Sequence, residues 1–165
     1  MQGDKLHVVI DTDFLSSFLK IGRINLVKDF FNVEYVSIPI AVFTEIGKTD
    51  LVDILIGIDW IKIKTVKDSV HSSFNAEDFD VLGAGEKECM MLCKSSSPHL
   101  LLINDKKARQ VAVNYRIAVL NISGFLLACK KSGFVSNDEL PEIIADLRNK
   151  DYFEFSQEEL ELLKL

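Results

Sequence analysis

Four acidic residues, Asp11, Glu45, Glu86 and Asp105, stand where carboxylates could do joint chemistry. Asp11 and Asp105 each end an apolar run, Leu6-His7-Val8-Val9-Ile10 and Leu100-Leu101-Leu102-Ile103-Asn104 respectively. Short aliphatic runs bounded by polar residues predict strands buried on both faces, as in a parallel sheet. The carboxyl edge of such a sheet is where open α/β folds bind ligands. Glu45 follows Pro39 on a predicted helix, with Val42 and Ala41 at i−3 and i−4, so it borders the apolar stripe. Glu86 opens another predicted helix, and Cys89, Met90 and Cys93 at i+3, i+4 and i+7 put it on the buried face. If the strands are neighbours, the four acids meet at one edge, where like charges raise one another's pKa. A hard divalent cation, Mg²⁺ or Mn²⁺, would relieve that repulsion with carboxylate and water ligands. Such an ion polarises a phosphoryl oxygen and makes water nucleophilic near neutral pH, which suits in-line hydrolysis of a phosphodiester.

Each acid taken singly has a plainer reading. Asp11 or Asp13 alone could be a helix N-cap, whereas Asp105 suits that role less because Asn104 beside it could serve as well. Glu45 could snorkel at the edge of its stripe, and Glu86 could complement the helix dipole. Lys87 and Glu88 read as ordinary solvent-facing residues.

The elements that must position these acids alternate along the chain. Helices are expected over 13–21 and 25–31, the first stopped by Gly22, then a strand over 33–38 and a helix started by Pro39. A helical excursion over 51–56 precedes a half-exposed strand over 60–66. Residues 69–80 are polar and loop-like, the best candidate for a mobile segment. A helix over 86–93, broken by Ser95-Ser96-Ser97-Pro98, leads to the Asp105 strand. Helices over 108–114, 123–131, 141–149 and 157–164 and a strand over 117–120 complete the chain. This alternation predicts an α/β layered fold around a mainly parallel sheet. At 165 residues, without repeats or linkers, the chain is read as one domain, 1–165.

With 25 acidic against 19 basic residues, the net charge of −6 argues against a general nucleic-acid-coating protein. It leaves room for a nuclease whose acids gather in one metal site. Three cysteines are too few for a disulfide framework and point to a reducing cytoplasm. No signal peptide or membrane span is read. Cys89 and Cys93, lacking a second Cys or His pair, read as buried apolar residues. Gly83-x-Gly85 lacks the third glycine of a dinucleotide fingerprint.

The ordered set Val-Val-Ile-Asp11-Thr-Asp13, Pro39-x5-Glu45, Gly83-x-Gly85-Glu86 and Leu-Leu-Ile-Asn104-Asp105-Lys-Lys-Ala-Arg109 resembles the PIN-domain family over about residues 6–145. It is most similar to the VapC-type toxin ribonucleases and their relatives with a Gly-x-Gly-Glu third acid. The resemblance implies a three-layer α/β/α sandwich with C-terminal helices over 136–165, and Mg²⁺- or Mn²⁺-dependent cleavage of single-stranded RNA. It further implies Asp11, Glu45, Glu86 and Asp105 as catalytic metal ligands, and a homodimer silenced by an antitoxin protein. Asp13 replaces the family's usual Asn or Ser, and Asn104 replaces an Asp common in close relatives; both are auxiliary candidates. Lys106, Lys107 and Arg109 are candidate RNA contacts or simply a solvated helix face.

Two other readings compete. A haloacid-dehalogenase-like phosphatase would use Asp11 as a covalent nucleophile and Asp13 as acid/base. However, Leu15 stands where that family has Thr or Val, and Glu45 and Glu86 would lack roles. A PIN-like module could also bind RNA or protein without cutting.

Overall fold

The computed structural model describes residues 4–164; residues 1–3 and 165, the ends of the expected unit, lie outside them. Among the described residues, five strands form one sheet: β1 (His7–Ile10), β2 (Val36–Pro39), β3 (Ile61–Lys64), β4 (His99–Leu102) and β5 (Val119–Leu120). Their order is β3-β2-β1-β4-β5 and every pairing is parallel, so the sheet is wholly rather than mainly parallel. Parallel neighbours need crossovers, and helices supply them: α1 (Thr12–Lys20), α2 (Asn25–Phe31), α3 (Ile40–Ile46), α4 (Val52–Ile56), α5 (Ala76–Asp80), α6 (Ala84–Lys94), α7 (Lys106–Asn114) and α8 (Ile122–Lys131). The chain closes with α9 (Glu139–Asp151) and α10 (Gln157–Leu163).

Val8, Val9 and Ile10 are all buried although alternate strand residues face opposite sides, so helices cover both faces of β1. One layer is aromatic. Phe14 and Phe18 of α1 stack at 5.1 Å, and Phe125 of α8 meets both rings edge-on. Burial of each such ring contributes about 1.5–3 kcal/mol. The helix α6 packs across β1, β2 and β4 through Cys89, Met90 and Cys93, all fully buried. On β3 only Ile61 is buried, as an edge strand with one open face requires.

Several boundaries differ from the sequence reading. Pro39 has extended backbone and ends β2; α3 starts one residue later, at Ile40. The four-residue β2 and β3 are shorter than their patterns suggest, because pairing extends only from Val36 with Ile61 to Pro39 with Lys64. The expected loop over 69–80 is instead a 3₁₀ turn at Asp68–Ser73 followed by α5. Phe74 and Phe79 stack there at 4.3 Å, and the Tyr115 hydroxyl, which donates to Asp78, accepts the Asn75 N–H. Those two aromatics give the polar stretch a small core of its own. No helix among the described residues is long and apolar enough to cross a membrane.

Candidate active site

The strand order reverses direction between β1 and β4, which makes their carboxyl ends the topological switch point of the sheet. Ile10 pairs with Leu102, and the Asp11 N–H donates to the Leu102 carbonyl at 2.9 Å. Asp11 is therefore still held by the sheet when α1 begins at Thr12. It is 4% exposed and occupies the N-cap position, yet its side chain makes no cap hydrogen bond. The Cys89 thiol lies beneath it, 4.0 Å from Oδ1. Burial, reinforced by the charges of Glu86, Asp13 and Glu45, pushes the Asp11 carboxyl up to about 7, against the pull of the Thr12 N–H.

Asp105 lies beyond the paired residues of β4. Its Oδ1 accepts the Ala108 N–H at 2.8 Å, so Asp105 caps α7. The expectation that Asn104 could take that role is corrected, because the Asn104 Oδ1 faces the start of α8 and accepts the Ile122 N–H at 3.3 Å. Glu86 is at the third position of α6, which starts at Ala84 rather than at Glu86 itself, and its Oε2 accepts the Gly83 N–H at 2.9 Å. This ties the carboxylate to the helix start, as the dipole reading expected. Burial, with Asp105, Asp13 and Glu45 adding repulsion, still holds its pKa above the usual range.

Glu45 projects from the last turn of α3 and accepts a short hydrogen bond from the Thr12 hydroxyl. Gly85 lets these groups approach: a Cβ there would stand 3.1 Å from Glu45 Oε1 and 3.2 Å from Thr12 Oγ1. Asp13 is exposed on α1 as a whole residue, yet partial desolvation of its carboxyl and the nearby charges of Glu45, Asp105 and Asp151 raise its pKa, against the pull of Lys20. Asp11, Asp13, Glu45, Glu86 and Asp105 thus share one edge and repel one another. The ion pairs among the described residues lie elsewhere, so none of the five is paired with a Lys or Arg, although Lys20 partly offsets the repulsion at Asp13. No three His, Cys, Asp or Glu side chains among the described residues stand close enough to hold an ion as they are. The carboxylates face one edge without having closed on a common point.

A family model described as a PIN domain, DUF3368, matches residues 7–164. The chain belongs to the PIN-domain family. The match runs through α10, past residue 145, and Leu163 of that helix is buried. Among solved structures, the PIN domain endonuclease Utp24 is similar with a TM-score of 0.53 at 15% identity, covering 74% of this chain and 90% of that one. At that identity the likeness speaks for the fold. No curated protein matches the sequence.

Several residues that shape this PIN-domain edge escaped the sequence reading. Thr12, to which the sequence assigned no role, donates to Glu45 and anchors it. Glu88, read as solvent-facing, accepts the Ala41 N–H at 2.9 Å and so satisfies the first turn of α3, where Pro39 offers no side-chain cap. It joins the helices that carry Glu45 and Glu86. No local pattern announces such a long-range contact. Of the three basic candidates, Lys106 and Lys107 are exposed, whereas the Arg109 guanidinium donates to the Asn104 carbonyl at 2.6 Å. Arg109 is thereby committed to holding the β4–α7 corner.

Proposed function

We propose that this PIN-domain protein is a Mg²⁺- or Mn²⁺-dependent endoribonuclease acting on single-stranded RNA. The observation that carries the reading is Asp11: a buried carboxyl at a sheet switch point, among four other carboxylates and without a cationic partner. An all-oxygen donor set of this kind fits a hard divalent cation. Asp11, Glu45, Glu86 and Asp105 would hold it, with Asp13 in support. When bound, the ion would supply charge neutralisation and Lewis acidity toward a phosphodiester.

The remaining contributions come from the chain itself. Thr12 fixes the Glu45 carboxylate, and the Gly83 N–H fixes that of Glu86. The proton that Asp11 retains near neutral pH must leave before the carboxylate can act as a ligand. Lys106 and Lys107 occupy the first turn of α7, where the helix dipole disfavours cations. Their placement beside the acids is sensible if they meet phosphate oxygens, and we assign them that contact. By family resemblance we further propose that the protein is the toxin of a toxin–antitoxin pair and works as a homodimer. The phosphatase alternative has no support in a PIN-domain chain.

The test is cleavage of a mixed single-stranded RNA pool in Mg²⁺, Mn²⁺ or EDTA, with wild type beside Asp105→Asn. Metal-dependent cutting that the substitution abolishes is expected. RNA binding without cutting in either metal would instead identify a non-catalytic PIN-like module. Growth arrest on expression, relieved by Asp105→Asn, and sedimentation of the purified protein test the toxin and homodimer proposals.

A further inference from the structure

A groove of about 450 Å³ opens beside Asp13, and Asn104, Lys20, Asp151, Tyr152 and Glu154 also line it. Tyr152 is 85% exposed, the most open of the large hydrophobic side chains described. It ends α9 in the left-handed region, with φ 54° and ψ 28°. After α1 and α8 the chain places Gly22 and Gly133 at φ +69° and +73°, the residue that adopts this conformation without strain. The other non-glycine residues with positive φ are Asn32, Arg116 and Lys164. The Phe153 N–H donates to the Leu147 carbonyl at 3.1 Å, so the backbone here is a helix-terminating turn that packs Phe153 and leaves the Tyr152 ring outside the core.

The backbone beneath the ring is tied to α1 through the preceding residue. Asp151 accepts from the Ser17 hydroxyl at 2.5 Å and from the Lys20 ammonium at 2.6 Å. Both donors belong to α1, the helix that starts at Thr12 directly after Asp11. The position of Tyr152 is therefore registered to the carboxylate edge. Charge limits what can enter: Lys20 answers Asp151, which leaves Asp13 and Glu154 to repel a phosphate. A nucleobase carries no such charge and presents a π-face, and stacking on an exposed aromatic is how single strands are commonly held.

We infer that this groove is a nucleobase subsite and that Tyr152 is its stacking platform, seating a base beside the scissile phosphate. The inference rests on the ribonuclease reading above. Its test compares wild type, Tyr152→Gly and Tyr152→Phe on short single-stranded RNA, and on the same RNA with one abasic ribose walked along it. Tyr152→Gly is expected to raise KM about tenfold, within the range of a lost base stack, with the loss falling on KM rather than kcat. Tyr152→Phe should behave as wild type, and the melting temperature of Tyr152→Gly should not fall, since glycine suits the backbone. At one abasic position the wild type should lose the same factor, and Tyr152→Gly should lose nothing more. An unchanged KM in Tyr152→Gly, or the same penalty at every abasic position, would overturn the subsite while leaving the nuclease intact. If the wild type neither binds nor cuts RNA, the nuclease reading itself fails and the subsite falls with it.

Discussion

The β1–α1 and β4–α7 corners are written in the same grammar: an aliphatic strand, an aspartate, a helix. Their aspartates nevertheless live differently. Asp105 is exposed and caps its helix through Ala108. Asp11 is buried, caps nothing and stays protonated up to about pH 7. The cause is distance from the sheet. Asp11 directly follows Ile10 and still bonds to β4, under the cover of Cys89, whereas on the other strand Ile103 makes the last bond, to Leu120 of β5, and Asp105 stands two residues beyond it. One acid stabilises the fold locally, and the other costs stability as it ionises.

Neutralising either acid therefore breaks the symmetry most sharply. Asp11→Asn and Asp105→Asn should each reduce RNA cleavage by at least about a hundredfold. Their metal-free stabilities should diverge at neutral pH. Asp11→Asn is expected to raise the melting temperature by removing a buried charge, while Asp105→Asn leaves it unchanged because Asn caps equally well. A lower melting temperature for Asp11→Asn would erase the distinction between the two corners.

The raised Asp11 pKa sets the sign of the pH dependence. An acid whose folded pKa exceeds its unfolded value of 3.8 contributes stability that is fully present below that value. The contribution is lost as pH rises through about 7, and is on the order of 4 kcal/mol. The raised Asp13 and Glu86 carboxyls act in the same direction. Urea denaturation in EDTA across this range should show declining stability with pH, flattened by Asp11→Asn and opposed by Mn²⁺.

Smaller effects separate the two glycines before Glu86. Gly85→Ala would press on Glu45, Thr12 and Val42, and we expect about a tenfold loss of activity with little loss of fold. At Gly83 a Cβ meets only the Glu86 Oε2, at 3.9 Å, so Gly83→Ala should remain active. Smallest are the caps. Asp105→Ala should cost about 1 kcal/mol in thermal or urea unfolding, and Asp105→Asn almost nothing. Glu88→Ala, measured the same way, should match Asp105→Ala, with Glu88→Gln restoring most of the loss.

The sequence announced the strands and their terminal acids because burial on both faces leaves continuous aliphatic runs, as at Val8-Val9-Ile10 and Leu100-Leu101-Leu102. It also carried Glu45 and Glu86, through their places on helical stripes. What it could not carry were contacts between distant elements. Glu88 with Ala41, Thr12 with Glu45 and Asp151 with Ser17 have no signature in spacing. The 68–80 segment misled for another reason: its polar composition hid Phe74 and Phe79, whose stacking decides the local structure. Nor does any propensity predict Tyr152 in a left-handed cap.

The strand order has a consequence in time. Among the described strands β1 is made first and occupies the centre of the sheet, and its neighbour β4 follows only after β2, β3 and six α-helices. Pairing of such remote segments is slow to nucleate and comes late. Asp11 and Asp105 therefore reach the same sheet edge only once β4 has been made and has paired with β1. A nascent or truncated chain ending before β4 would carry Asp11, Glu45 and Glu86 without the edge that brings Asp105 to them, and on the proposed function it would be inactive.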